Sequence, residues 1–436
     1  MLYDISLNTA NTAPAWGEGV GSISARLANG KEAKIPVLEA VNVLTVGVTG
    51  TGKSKSYTVP AARHLLTANP EMKGVFFETK RTFLDSFMQE DDKVIACNPN
   101  SVPARNLFQW CLIKEVRQAH DKEAEMKQIA EVLFGDLLAG AENNRAWIES
   151  ARNTFIAVLR VIVDCCSDNT SNWDLVNALR NMSVNNLLVY LSKHPRNHSL
   201  LSKDFSFDVS KKDTYVPTRR ATDVMFFFNS VLEKFGGAFE SKGQDTIYDY
   251  LHGAPGYGRN LFLLHDLATA ESSRSFTIYF LKKIKDEKMS LSSTIKEPML
   301  WCMDEADKLS DGGKAADFGL FQAATLGLTT QSIESLYGLA PGFNEHIARG
   351  GLAGFPVLLS FRPGDSATIS TLQTLFGSKR QNITTMPLSR YDHLMVKSEV
   401  EPLVSEADFA ELKTGEAYIK IMSANPQKVS IILEEC

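Results

Sequence analysis

No apolar run in this chain of 436 residues reaches the ~18 residues that a membrane-spanning helix requires. The nearest candidate, Phe155 to Cys166, is too short and carries Arg160 and Asp164. No signal peptide is recognisable at the start. The six cysteines, Cys97, Cys111, Cys165, Cys166, Cys302 and Cys436, include no C-x-x-C pair, which excludes the usual zinc-site patterns. Cys97 and Cys302 lie in apolar strand-like runs and read as buried thiols of a reducing cytoplasm. Basic charge is not in excess. The net charge is -5, so no global field draws the chain to DNA or to an anionic membrane. Any nucleic-acid contact then has to come from local basic clusters or from the lumen of a ring. Internal repeats and low-complexity tracts are also missing, which excludes solenoids and disordered arrays.

What is present is an ordinary globular composition, with 44% hydrophobic and 22% charged residues. The length suits two or three domains. The most informative segment is Thr45-Val46-Gly47-Val48-Thr49-Gly50-Thr51-Gly52-Lys53-Ser54, which fits G-x-x-x-x-G-K-[ST] from Gly47 to Ser54. An apolar strand-like run, Val41 to Val46, precedes it. Glycines let such a loop turn its N–H groups inward around a polyphosphate, and the N-terminus of the following helix adds favourable potential. The implied cradle for ATP is Thr49, Gly50, Thr51, Gly52, Lys53, Ser54 and Lys55. Lys53 would reach the β- and γ-phosphates, and the Ser54 hydroxyl would hold Mg²⁺.

Strand-like runs follow at 41–46, 75–78 and 93–96, with a helix expected over 54–67 between the first two. Others read at 261–264, 299–303, 326–330, 356–361 and 417–421. This order predicts an α/β fold with a mainly parallel sheet covered by helices. Between Lys114 and Phe235 the period changes: Met126, Ile129, Leu133 and Leu137 recur at helical spacing, as do Ile148, Ala151, Phe155, Val158 and Ile162. Residues 114–235 therefore read as an inserted all-α domain, 41–113 with 236–436 as the nucleotide-binding domain, and 1–40 as a preamble. The basic stretch Lys203 to Arg220, with Lys211, Lys212, Arg219 and Arg220, reads as a solvated loop before it reads as a nucleic-acid contact. Trp110, Trp147 and Trp173 read as packing residues of the helical segment.

A phosphate-binding loop needs a partner acid for the metal and a second group to activate water. Met299 to Met303 is an apolar run of strand length that ends in Asp304 and Glu305. Strand ends are where α/β folds place their ligands. Asp304 would bind Mg²⁺, and Glu305 would polarise the attacking water. Gln331 closes the next candidate strand, where a polar group could sense the γ-phosphate.

These motifs form an ordered series: Gly50-Thr51-Gly52-Lys53-Ser54, Glu78-Thr79-Lys80 with Asn98-Pro99, Asp304-Glu305, and Thr330-Gln331-Ser332 leading to Leu336-Tyr337-Gly338. Phe361-Arg362-Pro363-Gly364-Asp365 and Gly415-Glu416-Ala417 complete it. The series resembles the type IV secretion coupling proteins, ring ATPases of conjugation systems in the FtsK–HerA group of P-loop translocases. The resemblance implies a RecA-like motor that assembles as a homo-hexamer. It would hydrolyse ATP with Mg²⁺ and feed DNA, secreted protein cargo, or both to the channel components of a secretion system. It further implies catalytic roles for Lys53, Glu305 and Gln331.

Three departures stand out. The family commonly begins with membrane-spanning helices and this sequence shows none, so the chain is docked by a partner, is a soluble variant, or has been trimmed. The expectation is a cytoplasmic protein that meets the inner face of the cell membrane only through a partner. The family's Asp-x-Lys-Gly after the second strand is here Glu78-Thr79-Lys80-Arg81. Phe318 to Thr330 lacks the basic residues that many members carry before the Gln, leaving Arg349, Arg362 and Arg274 as candidates for an arginine acting in trans. Two other readings keep the same site but give it different work. One is a soluble DNA translocase or helicase, and the other is a nucleotide-binding platform that recruits cargo with slow turnover.

Overall fold

The computed structural model describes residues 19–38, 41–141, 143–208, 210, 216–265, 270–290, 299–305, 308, 328–330, 355–385 and 395–432. In chain order the strands are β1 (Gly21–Leu27), β2 (Glu32–Val37), β3 (Val43–Val46), β4 (Lys73–Glu78), β5 (Lys93–Ala96), β6 (Asn260–Leu264) and β7 (Met299–Met303). They continue as β8 (Leu328–Thr330), β9 (Val357–Ser360), β10 (Ser378–Thr385), β11 (Met395–Pro402), β12 (Glu416–Ile421) and β13 (Gln427–Ile431). Every strand expected from the sequence is found within a residue or two. Two compact units emerge: the described residues through Pro70 with 328–330, 355–385 and 395–432 form one, and those from Glu71 to Lys308 form the other.

The first unit carries strands in the order β2-β1-β13-β12-β9-β3-β8. β3, buried along its whole length, is parallel to both neighbours, with Val43 opposite Val357 and Val46 opposite Thr330. From β9 outward the pairing is antiparallel, through β12, β13 and β1 to β2. Residues 21–37 are therefore an integral part of the sheet instead of a preamble. Their signal was weak because β1 buries only Ile23 and Ala25 among Gly, Ser and Arg. The expected helix over 54–67 begins as a wide π-type turn, Lys53–Thr58, and continues as α1 (Val59–Ala68) with Pro60 in its first turn. Pro60 has no N–H to continue a regular ladder, and it follows directly on the wide turn, whose last bond runs from Val59 N to Ser54 O.

In the second unit β7-β4-β6-β5 is a wholly parallel sheet, and α2 (Thr82–Phe87) follows β4. The helices α3 (Leu112–Gln118), α4 (Lys122–Ala139), α5 (Arg145–Cys165), α6 (Asn172–Arg180), α7 (Val184–Leu191), α8 (His198–Phe205) and α9 (Arg219–Leu232) follow without an intervening strand among the described residues. Asp121, Ser171 and Thr218 cap α4, α6 and α9 with their side chains. Phe155 on α5 packs between Phe134 of α4 and Phe228 of α9, with ring centroids 6.0 and 6.2 Å away. Short α10 (Ile247–Leu251) leads back to β6, and long α11 (Ala270–Ser290) follows it.

Trp110 is buried against Phe276, Tyr279 and Phe280 of α11, as a packing role requires. Beside it lies a buried polar network. Glu115 of α3 accepts hydrogen bonds from Trp110 Nε1 at 3.2 Å and Ile247 N at 2.8 Å. Lys283 of α11, only 4% exposed, donates to Glu125 of α4 at 2.6 Å, and Tyr279 donates to the other Glu125 oxygen, also at 2.6 Å. Burial pushes Glu115 up to about 7, with the Lys283 charge opposing it. Burial would pull Lys283 down, but Glu115 and Glu125 more than offset it and hold the ammonium above its usual range.

Cys302 is buried, whereas Cys97, just past the end of β5, is only partly covered. No helix among the described residues is long and apolar enough to cross a membrane.

Candidate nucleotide site

The candidate site residues sit at the ends of two buried strands, one in each unit. In the first, β3 delivers the chain to Gly47, whose φ of 152° and tight surroundings both demand glycine. A Cβ there would lie 2.8 Å from Phe361 Cβ. At Gly52, φ is 100° and a Cβ would lie 2.7 Å from Ser56 Oγ. By contrast, a Cβ on Gly50 would meet nothing within 4 Å, so the loop is open at its tip. The loop is held from two sides: Val48 N donates to Arg362 O at 2.9 Å, and Gly415 N donates to Thr51 O at 3.0 Å. The two segments flagged only by family resemblance, around Phe361-Arg362 and Gly415, thus turn out to be the walls of this loop.

Lys53 is buried and curls back over the loop, donating to Gly47 O and, at 3.1 Å, to Val48 O. Its ammonium therefore sits where a polyphosphate wrapped by the loop would meet it. Thr49, Gly50 and Lys55 are at the open side of the loop, Thr51 is buried, and Gly52 and Ser54 are half-buried. Ser54 lies in the π-type turn, a helical irregularity frequent at functional sites.

In the second unit every residue of β7 is buried, and the chain leaves it at Asp304 and Glu305, each 5% exposed. Asp304 N donates to Phe77 O of β4 at 2.8 Å, so the acidic pair is pinned to the neighbouring strand. Glu305 has a φ of 52°, an uncommon conformation for a residue with a Cβ. Its carboxylate accepts from Thr79 Oγ1 at 2.6 Å and pairs with Lys80. Sequence reasoning marked Glu78-Thr79-Lys80 as a motif without seeing what it does, since the contact spans more than 220 residues.

Glu78 has a separate role. Its two oxygens accept from Phe83 N and Leu84 N, each at 2.7 Å, and so cap α2, which has no side-chain cap of its own. The longer acid reaches across the turn at Arg81, where φ is 59° in place of the family's glycine. Burial pushes Glu78 up to about 7, with the two backbone N–H groups opposing it. A carboxyl raised above its ordinary 4.5 holds its proton more tightly folded than unfolded. Between those values the unfolded chain binds fewer protons, so this group lowers stability as pH rises. Glu78→Gln should remove that slope, and denaturant titrations at pH 5 and pH 8 check it. The wild type is expected to lose on the order of 2–3 kcal/mol relative to the variant between the two.

Among the described residues no group of three or more His, Cys, Asp and Glu could hold a metal unaided. The Ser54 hydroxyl and the Asp304 carboxylate are each the kind of oxygen donor that Mg²⁺ takes, one or two from the protein with phosphates and water completing its shell. Gln331 and Arg349 lie outside the described residues, as do Lys211 and Lys212. Arg362 is exposed beside the loop it braces, and Arg274 on α11 is half-buried. Arg220, in the first turn of α9, donates to Asp204 at 2.8 Å and lies 5.0 Å from the centre of the Trp147 ring, a structural pairing within the helical segment.

Comparisons with known proteins bear separately on the fold and on the family. Among solved structures, the unbound bacterial conjugative coupling protein TrwBdeltaN70 is similar with a TM-score of 0.67 at 16% identity, over 91% of this chain and 86% of that one. The plasmid coupling protein TrwB in complex with ADP and Mg²⁺ is similar with a TM-score of 0.63 at 16% identity, over the same shares. VirB4 of Thermoanaerobacter pseudethanolicus is similar with a TM-score of 0.55 at 12% identity, over 96% of this chain and 98% of that one. These likenesses establish the α/β, RecA-like fold. No curated protein matches the chain by sequence. The profile of the type IV secretion-system coupling protein DNA-binding domain matches residues 31–432. With the phosphate loop, the acidic pair and the fold in agreement, the chain belongs to the type IV secretion-system coupling protein family.

Proposed function

We propose that this coupling protein is an ATP-hydrolysing motor that works as a homo-hexamer and moves DNA, protein cargo, or both toward a secretion channel. The observation that carries this reading is the Gly47–Ser54 loop: positive-φ glycines, an open tip at Gly50 and a buried Lys53 at the end of a parallel strand. In this reading residues 49–55 bind the triphosphate, and Lys53 neutralises its β- and γ-oxygens. Ser54 and Asp304 are the residues that would hold Mg²⁺, and the ion would supply charge neutralisation for the phosphoryl group being transferred. Glu305 orients a water and takes its proton, and Gln331 reports the loss of the γ-phosphate. We further assign residues 114–235 to an inserted helical domain and propose that a partner docks the chain at the inner face of the membrane. TrwB has been seen with ADP and Mg²⁺ and with non-hydrolysable ATP and GTP analogues, which supports this cofactor assignment.

Steady-state ATP hydrolysis with Mg²⁺, with and without single- and double-stranded DNA, tests the reading. Turnover stimulated by DNA is expected, along with salt-sensitive DNA binding. Lys53→Ala should weaken nucleotide binding at least tenfold in an equilibrium titration. Unchanged affinity would remove Lys53 from the site, and no turnover under any condition would sink the motor reading.

A further inference from the structure

We propose that Lys80 and Thr79 are positioning residues that aim the Glu305 carboxylate, on the reading that Glu305 activates water. Both Glu305 oxygens are engaged by neighbouring residues of one turn. Oε2 accepts from Thr79 Oγ1 at 2.6 Å, and Oε1 accepts from Lys80 Nζ. The backbone beneath them is tied by Asp304 N donating to Phe77 O at 2.8 Å. Residues 77–80 of β4 and its turn therefore grip the acidic pair through one backbone and two side-chain hydrogen bonds.

Two features argue that this grip sets aim and adds little to the hold of the fold. Glu305 sits at φ 52°, a conformation that persists only where the surroundings over-determine it, and such positions cluster at functional sites. The Lys80 side chain is 49% exposed, and an ion pair with a partner that open adds little to fold stability. Thr79 holds one carboxylate oxygen and Lys80 the other, and contacts on both oxygens fix the plane of the group.

The test is steady-state ATP hydrolysis by the full chain, giving kcat and KM for the wild type, K80M, K80R, T79V, E305Q and K80M with E305Q. Misplacing a reacting group by about 1 Å costs up to ~100-fold, so K80M should lower kcat by ~10- to 100-fold. KM should stay within about twofold, the pattern of a lost transition-state interaction. K80R should recover most of the rate, and T79V should lose less than K80M. On an E305Q background K80M should cost nothing further, because there is no base left to aim. Thermal melts within a few degrees of wild type would keep a folding defect out of the comparison. Wild-type kcat in K80M, with E305Q inactive, overturns the positioning role alone. An undiminished K80M penalty on E305Q also overturns it, since Lys80 would then act elsewhere. Turnover insensitive to E305Q would remove the base assignment and this proposal together.

Discussion

Glu305→Gln is expected to bind ATP with wild-type affinity and to hydrolyse it ~10²- to 10⁴-fold more slowly. The amide keeps the size of the side chain and an oxygen for the Thr79 hydroxyl, but it cannot take a proton from water. The left-handed turn should survive, because Asp304 N remains bonded to Phe77 O. Binding should survive too, since the phosphate loop and Lys53 belong to other segments of the chain. Equilibrium binding of a fluorescent nucleotide and single-turnover hydrolysis separate the two effects. The expected pattern is the reverse of Lys53→Ala, which should lose affinity first. If Glu305→Gln turned over within about threefold of wild type, the general base would have to be sought elsewhere.

Lys283→Met should cost ~3–5 kcal/mol of stability near neutral pH, a large share of the margin of a typical domain. Methionine fills much the same volume, so the loss comes from charge. Without the ammonium, the buried carboxylates Glu125 and Glu115 face one another uncompensated between α3, α4 and α11. Glu115, already held at about 7 by burial, must bind its proton more tightly once the Lys283 charge that opposes this is gone. A raised carboxyl pKa means that the unfolded chain holds fewer protons through that window, so the penalty grows as pH increases. Urea unfolding at pH 5.5 and pH 8 should therefore give a smaller difference between wild type and variant at the lower pH. Adding Glu125→Gln should return part of the loss at pH 8. A penalty independent of pH would mean that Lys283 acts through packing alone.

Much of the site could be read before the fold was known, because its two signals are local. Val43 to Ser54 and Met299 to Glu305 each combine an apolar strand with its functional turn, and backbone chemistry ties those residue types to that spacing. The long helices were equally legible, since α5 repeats its buried positions with a helical period. What stayed hidden depends on register between distant segments. Nothing near Thr79 or Lys80 indicates that Glu305 lies within reach, and nothing near Gly415 indicates that its N–H closes on Thr51. The β10–β11 pair was missed for another reason. The run SKRQNITT of β10 offers almost no apolar stripe, and its pairing relies on backbone hydrogen bonds. β1 and β13 are intermediate cases: their alternation is real but short, and it becomes persuasive only once each has the other as a neighbour.

That last pairing carries a consequence for how the chain is made. β1 lies between β2 and β13, with Ala25 opposite Ile431. The β1–β2 hairpin is therefore translated well ahead of β13, and one of its edges has no partner until about 400 further residues have been made. At ~5–20 residues per second that wait is on the order of 20–80 s. Throughout it, an unpaired strand edge is available to any other extended segment. Production of this protein should accordingly depend on chaperone capacity and on elongation speed. The edge of β1 is sealed only when β13, a strand made about 400 residues later, pairs with it.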